Sequence, residues 1–136
     1  MKFMMNNRQW EIKEVDAKWI LDLLNEESPG STYCFGATKY NLQTIFLNEE
    51  MCPDVKKQTL YHELMHCYIW SYLSNQFEYN EEQLCDISAN SHDIIHEIVD
   101  NYFNRITLGI SVKPDVDAVN IVQYLKEAQH LDKRDV

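Results

Sequence analysis

Within Thr59-Leu60-Tyr61-His62-Glu63-Leu64-Met65-His66-Cys67-Tyr68 the chain carries His-Glu-x-x-His, the spacing at which a helix holds a metal ion beside a general base. Positions four apart on a helix of ~3.6 residues per turn lie one above the other, so His62 and His66 can offer imidazole nitrogens to a single ion. Glu63 projects beside them, a carboxylate suited to taking a proton from metal-bound water. Zinc is the metal such donors suit, at about one ion per chain. Short patterns of this kind also arise by chance. Here the surrounding segment is apolar, and two imidazoles and a carboxylate buried in it would be costly without a partner.

A catalytic zinc takes three protein ligands and a water, so one more group must come from outside this helix. Glu82 is the candidate. It falls in the first turn of the next expected helix, after a short loop, and Asp86 lies four residues on along the same face. From there Asp86 can accept a hydrogen bond from the outer nitrogen of a ligating histidine and set its tautomer. Glu81 is the adjacent rival but has no acid four residues on. Acidic residues at a helix N-terminus also offset the helix dipole without any metal, and the two roles are compatible. His92 and His96 are the other rivals. They lie roughly 15 and 21 Å further along the same helix than Glu82, at ~1.5 Å per residue, and cannot share an ion with it. Each reads as a surface or hydrogen-bonded histidine, and His130 as one placed near a helix C-terminus. Ser91-His92-Asp93 is no triad, since consecutive helical residues point in different directions. Tyr33, Tyr79 and His92 are candidates for stabilising an oxyanion, and spacing does not choose among them.

The elements that must position these groups follow from periodicity. The motif helix is expected from Asp54 to about Leu73, with Leu60, Leu64, Met65, Tyr68 and Ile69 wedged into the core. Arg8–Val15 alternates as a half-buried strand, with Trp10, Ile12 and Val15 facing inward. Asp16 caps a helix with the stripe Trp19, Ile20, Leu23 and Leu24, which Ser28-Pro29-Gly30 stops. Thr32–Phe35 and Thr44–Leu47 read as a hairpin, with Gly36 marking a bulge or a close backbone approach. An exposed edge of this sheet near the metal could pair with an extended peptide. After the loop Asn75–Tyr79, Asn80 and Gln83 form a capping-box-like pair. They open a helix whose stripe runs through Leu84, Ile87, Ser91, Ile94, Ile95, Ile98 and Tyr102 towards Phe103. Gly109 and Pro114 separate a last helix with the stripe Ala118, Ile121, Val122 and Leu125, and the tail from Asp132 is loose. The expected fold class is α+β: a small three-stranded sheet packed on the metal-binding helix and two or three further helices.

With 136 residues, 45% of them hydrophobic, the chain is expected to form one domain with a real core. A net charge of −10 argues against a nucleic-acid surface, which needs clustered Lys and Arg. No stretch has the apolar run of a signal peptide or a membrane span, so a cytoplasmic protein is expected. Cys34, Cys52, Cys67 and Cys85 form no Cys-x-x-Cys pair and read as small buried hydrophobes.

Trp10-Glu11-Ile12, Phe35-Gly36-Ala37-Thr38-Lys39-Tyr40, Ile45-Phe46-Leu47-Asn48, the His62–His66 motif with Thr59-Leu60-Tyr61 before it, and Glu81-Glu82-Gln83-Leu84-Cys85-Asp86 together resemble small phage and prophage metallopeptidases related to the ImmA/IrrE group of gluzincins. The resemblance spans about residues 8 to 100. It implies a minimal gluzincin fold, zinc at His62, His66 and Glu82, and Glu63 as the base; the zincin core is taken as residues 8–105, with residues 106–136 as a C-terminal helical extension. It also implies relatives that cleave transcriptional repressors of a host or prophage. The expected function is therefore a zinc-dependent peptidase that hydrolyses a peptide bond in a host or prophage protein, in the cytoplasm of a bacterial host. A transcriptional regulator is among the candidate substrates. The chain has no recognisable helix-turn-helix segment, and the residues after about Gly109 lie beyond the resemblance, so the substrate itself does not carry over. The alternative is a non-catalytic protein of the same fold that binds and inhibits a partner, as an antirepressor would; an acidic surface suits a basic partner. A purely structural zinc site would want a fourth protein ligand, and none is evident.

Overall fold

In the computed structural model, which describes residues 1–73 and 78–107, the alternating run becomes strand β2 (Arg8–Val15), with the boundaries its periodicity predicts. A strand the periodicity did not predict, β1 (Lys2–Met5), pairs antiparallel to it, Met5 opposite Arg8. The connection is Asn6-Asn7, with φ of 50° and 61°, the positive values that a two-residue type I′ hairpin turn requires. Helix α1 (Ala17–Glu27) starts where expected, with Asp16 accepting the Trp19 N–H at 2.8 Å. Then follow β3 (Gly36–Lys39), a 3-10 turn over Tyr40–Leu42, β4 (Thr44–Asn48), α2 (Pro53–Leu73) and α3 (Glu81–Thr107). The expected capping box at α3 is present: Gln83 N–H donates to Asn80 Oδ1 at 2.8 Å and Asn80 N–H to Gln83 Oε1 at 3.0 Å.

The sheet has four strands, not three, in the order β1-β2-β4-β3. β2 and β4 run parallel, which a hairpin cannot achieve; α1 lies on the crossover between them. β4 is buried along its whole length because both faces are covered. Ile45 and Leu47 pack with Leu60 and Leu64 of α2, while Phe46 packs with Trp19, Ile20 and Leu23 of α1. Trp10 and Ile12 lie on the α2 side, and Val15 on the α1 side.

The first hairpin strand also moves. Residues 32–35 are not strand; pairing to β4 begins at Gly36, opposite Leu47. β3 packs closely on α2 at this point, where a Cβ at residue 36 would come to 2.9 Å from Thr59 Cγ2 and 3.2 Å from Glu63 Cγ. Gly36 is thus a close backbone approach. The segment before it is held by Asn48, whose backbone N–H donates to Phe35 O at 2.9 Å and whose Nδ2 donates to Cys34 O at 3.1 Å.

α3 runs antiparallel to α2: Lys56 and Tyr102 meet on the Glu14 carboxylate, and five residues further along α2 Tyr61 meets His96, earlier on α3. Ser91, Ile95, Ile98, Val99 and Tyr102 are buried, whereas residues 81–90 are exposed apart from a half-buried Ile87. Cys34 and Cys67 are buried as expected, but Cys52 and Cys85 are exposed. Among the described residues no helix is long and apolar enough to cross a membrane. The expected last helix with Ala118, Ile121, Val122 and Leu125, and His130 beyond it, lie outside the described residues.

Candidate metal and catalytic site

α2 turns Leu60, Glu63, Leu64, Cys67 and Tyr68 into the core. Each residue advances ~100° around a helix, so His62 and His66 fall on the adjoining face, where they are exposed. The cost of burying unpaired imidazoles, invoked from the sequence, therefore does not apply to them. Their Nε2 atoms stand 3.2 Å apart, with ring planes at 76°. Two imidazole nitrogens ~2.0–2.1 Å from one tetrahedral zinc are themselves about 3.3 Å apart, a spacing that a direct hydrogen bond between the two rings gives as well.

Glu63 differs from both: it is 6% exposed and packed against β3. Its Oε2 accepts the Thr38 hydroxyl at 2.8 Å. Burial, with the Glu63 charge adding to it, holds the Cys34 and Cys67 thiols and the Tyr40 phenol above their ordinary values, so none of them offers an ionised nucleophile here.

Glu63 and His62 line a cleft of about 470 Å³ whose other walls include Leu24, Tyr33, Phe35, Gly36 and Val55. Tyr33 and Phe35 are 47% and 51% exposed and meet edge to face at 4.7 Å. Of the three residues considered for an oxyanion, only Tyr33 lines this cleft. β3, which supplies the Gly36 wall, is an edge strand of the sheet. A larger cleft of about 660 Å³ between β1 and the C-terminal half of α3 contains none of the candidate metal or catalytic residues.

The third ligand expected from the sequence lies on the next helix. Glu82 and Asp86 are exposed on the unpacked turns of α3, Glu82 about 13 Å along the axis before Ser91 at ~1.5 Å per residue. Among the described residues no group of three or more His, Cys, Asp and Glu side chains is placed to hold a metal ion. His62 and His66 are brought together; Glu82, and its rival Glu81, are not brought to them. Nor do the rival histidines join: His92 stacks on His96 at 5.6 Å, and His96 contacts the Tyr61 hydroxyl through Nδ1 at 2.7 Å and Asp100 through Nε2 at 3.3 Å.

Sequence reasoning passed over Thr38 and Phe35. Thr38 had a signal: in a strand it shares a face with Gly36, the residue already marked for close approach. No family model, no curated protein and no solved structure matches the chain.

Proposed function

We propose that this chain is a zinc-dependent peptidase that hydrolyses a peptide bond in a host or prophage protein, in the cytoplasm of a bacterial host. One observation carries the reading: His62, half of an imidazole pair whose nitrogens stand at zinc-ligand spacing, lines an apolar-walled cleft together with the buried Glu63. His62 and His66 hold the ion in this reading, and Glu82 is the third ligand. Bound zinc would supply an acidified water and a polarised scissile carbonyl. Glu63 takes the attacking water's proton on its carboxylate and passes it to the leaving amine. The edge of β3 offers backbone groups to an extended peptide, and Tyr33 and Phe35 receive an apolar side chain beside the bond to be cut.

A second reading is that the same cleft binds and inhibits a partner without cutting it, as a chain of net charge −10 could do with a basic partner. Glu63→Gln separates the two. It keeps size and hydrogen-bonding capacity but cannot take the proton, so zinc content and fold should persist while cleavage of a peptide library falls ~10²-fold or more. Full biological activity in Glu63→Gln would establish the binding reading instead.

A further inference from the structure

Resting on the reading of Glu63 as the general base, we infer that Thr38 is its positioning residue: the hydroxyl holds the carboxylate in the orientation that proton transfer needs. The strand alternation builds this contact. Ala37 packs with the α1-side core and Lys39 pairs with Glu27 of α1, so Gly36 and Thr38 face the other way, onto α2. The missing Cβ of Gly36 lets the β3 backbone come close enough for Thr38 Oγ1 to reach Glu63 Oε2 at 2.8 Å.

A glutamate side chain has three rotatable bonds, and a buried carboxylate has little water to orient it. A donor on Oε2 narrows the orientations open to the group and does not engage Oε1. Threonine suits this task because its branched Cβ restricts χ1, so the strand itself sets the direction of the hydroxyl. The hydroxyl is neutral and leaves the charge of Glu63 intact. The same hydroxyl lies 3.4 Å from the Glu63 backbone carbonyl, a longer contact than the 2.8 Å to Oε2, so the carboxylate is its nearer acceptor. Misplacing a reacting group by about 1 Å costs roughly 10²-fold in rate, so a lost clamp should register in kcat.

The test uses the full chain as wild type, Thr38→Val, Thr38→Ser and Glu63→Gln. It reads kcat and KM on a peptide that the wild type cleaves, zinc content, and the position of the Glu63 carboxylate in crystal structures of the metal-free proteins. Thr38→Val keeps the shape and loses the donor. It should lower kcat about 10- to 100-fold with KM little changed, retain zinc, and show the Glu63 carboxylate turned from its wild-type position. Thr38→Ser should restore most of kcat and the orientation; should the valine variant fold poorly, Thr38→Ala carries the same expectation. Wild-type kcat or an unmoved carboxylate in the variant lacking the hydroxyl, or no rescue by serine, overturns the inference while Glu63→Gln still loses activity. If wild type and Glu63→Gln are equally inert, the peptidase reading falls, and the catalytic role of Thr38 with it.

Discussion

The Tyr102 hydroxyl donates a 2.6 Å hydrogen bond to Glu14 Oε2 in the core, while Lys56 Nζ pairs with Glu14 Oε1. One strand and two helices thus meet on a single buried carboxylate, beneath the packing of α2 and α3 on the sheet.

A pH dependence follows from this contact. Burial first, then the hydrogen bond to Glu14 and its charge, hold the Tyr102 phenol above its ordinary value of 10.0. Above that pH the unfolded chain loses the proton while the folded chain keeps it, so the unfolded state binds fewer protons and stability falls as pH rises. The contribution is fully present below about pH 10 and declines above it by up to about 1.4 kcal/mol per pH unit. Tyr102→Phe should cost about 1–3 kcal/mol near neutral pH, through the weakened contact to Glu14. It should also lose less stability than wild type between about pH 10 and 11, and denaturant midpoints across that range provide the check. Equally steep alkaline limbs in the two proteins would refute the assignment.

Zinc binding is expected at about one ion per chain, with His62→Ala or His66→Ala abolishing it. Metal analysis of purified protein measures this directly. Zinc should also raise the melting temperature of the wild type and not of either variant, since an ion that binds only the folded state stabilises it. Full occupancy in His66→Ala would remove the basis of the metal assignment.

The third ligand is decided by comparing neighbours on α3. Glu82→Ala should cost most of the zinc affinity, Glu81→Ala little, and Asp86→Asn about 10–100-fold if it orients a ligating histidine. Competition with a chelator of known affinity gives the order. Unchanged affinity in Glu82→Ala would mean that its exposed position persists with metal bound.

The apolar wall of the cleft should appear in KM. Tyr33→Ala combined with Phe35→Ala removes contacts made equally in the ground and transition states, so KM should rise on the order of 10-fold with kcat little altered. The comparison needs one substrate with a large apolar residue beside the cut and one without; only the first should respond. A larger loss of kcat than of KM would assign Tyr33 to the chemistry, as the oxyanion donor.

The chain sequence by itself determined what is local. The i, i+4 relation that lets His62 and His66 meet is a property of any helix, and their nitrogens stand 3.2 Å apart. The span of β2, the Asp16 cap and the Asn80–Gln83 capping box were legible for the same reason: their hydrogen bonds and periodicity close within a few residues. Asn6-Asn7 was legible too, as a two-residue hairpin turn, and would have revealed β1.

Tertiary structure decided the rest. Gly-Ala-Thr-Lys has little strand character of its own; it becomes β3 because β4 pairs with it and α2 lies close enough to exclude a Cβ at Gly36. Glu14 reads as one more polar residue in an alternating strand, yet it is buried because Lys56 and Tyr102, far along the chain, converge on it. Periodicity says which face of a helix is buried but not how far one helix slides along another. The slide of α3 is set by the contacts of Tyr61 with His96 and of Tyr102 with Glu14, which bring His96 beside the residue that precedes His62.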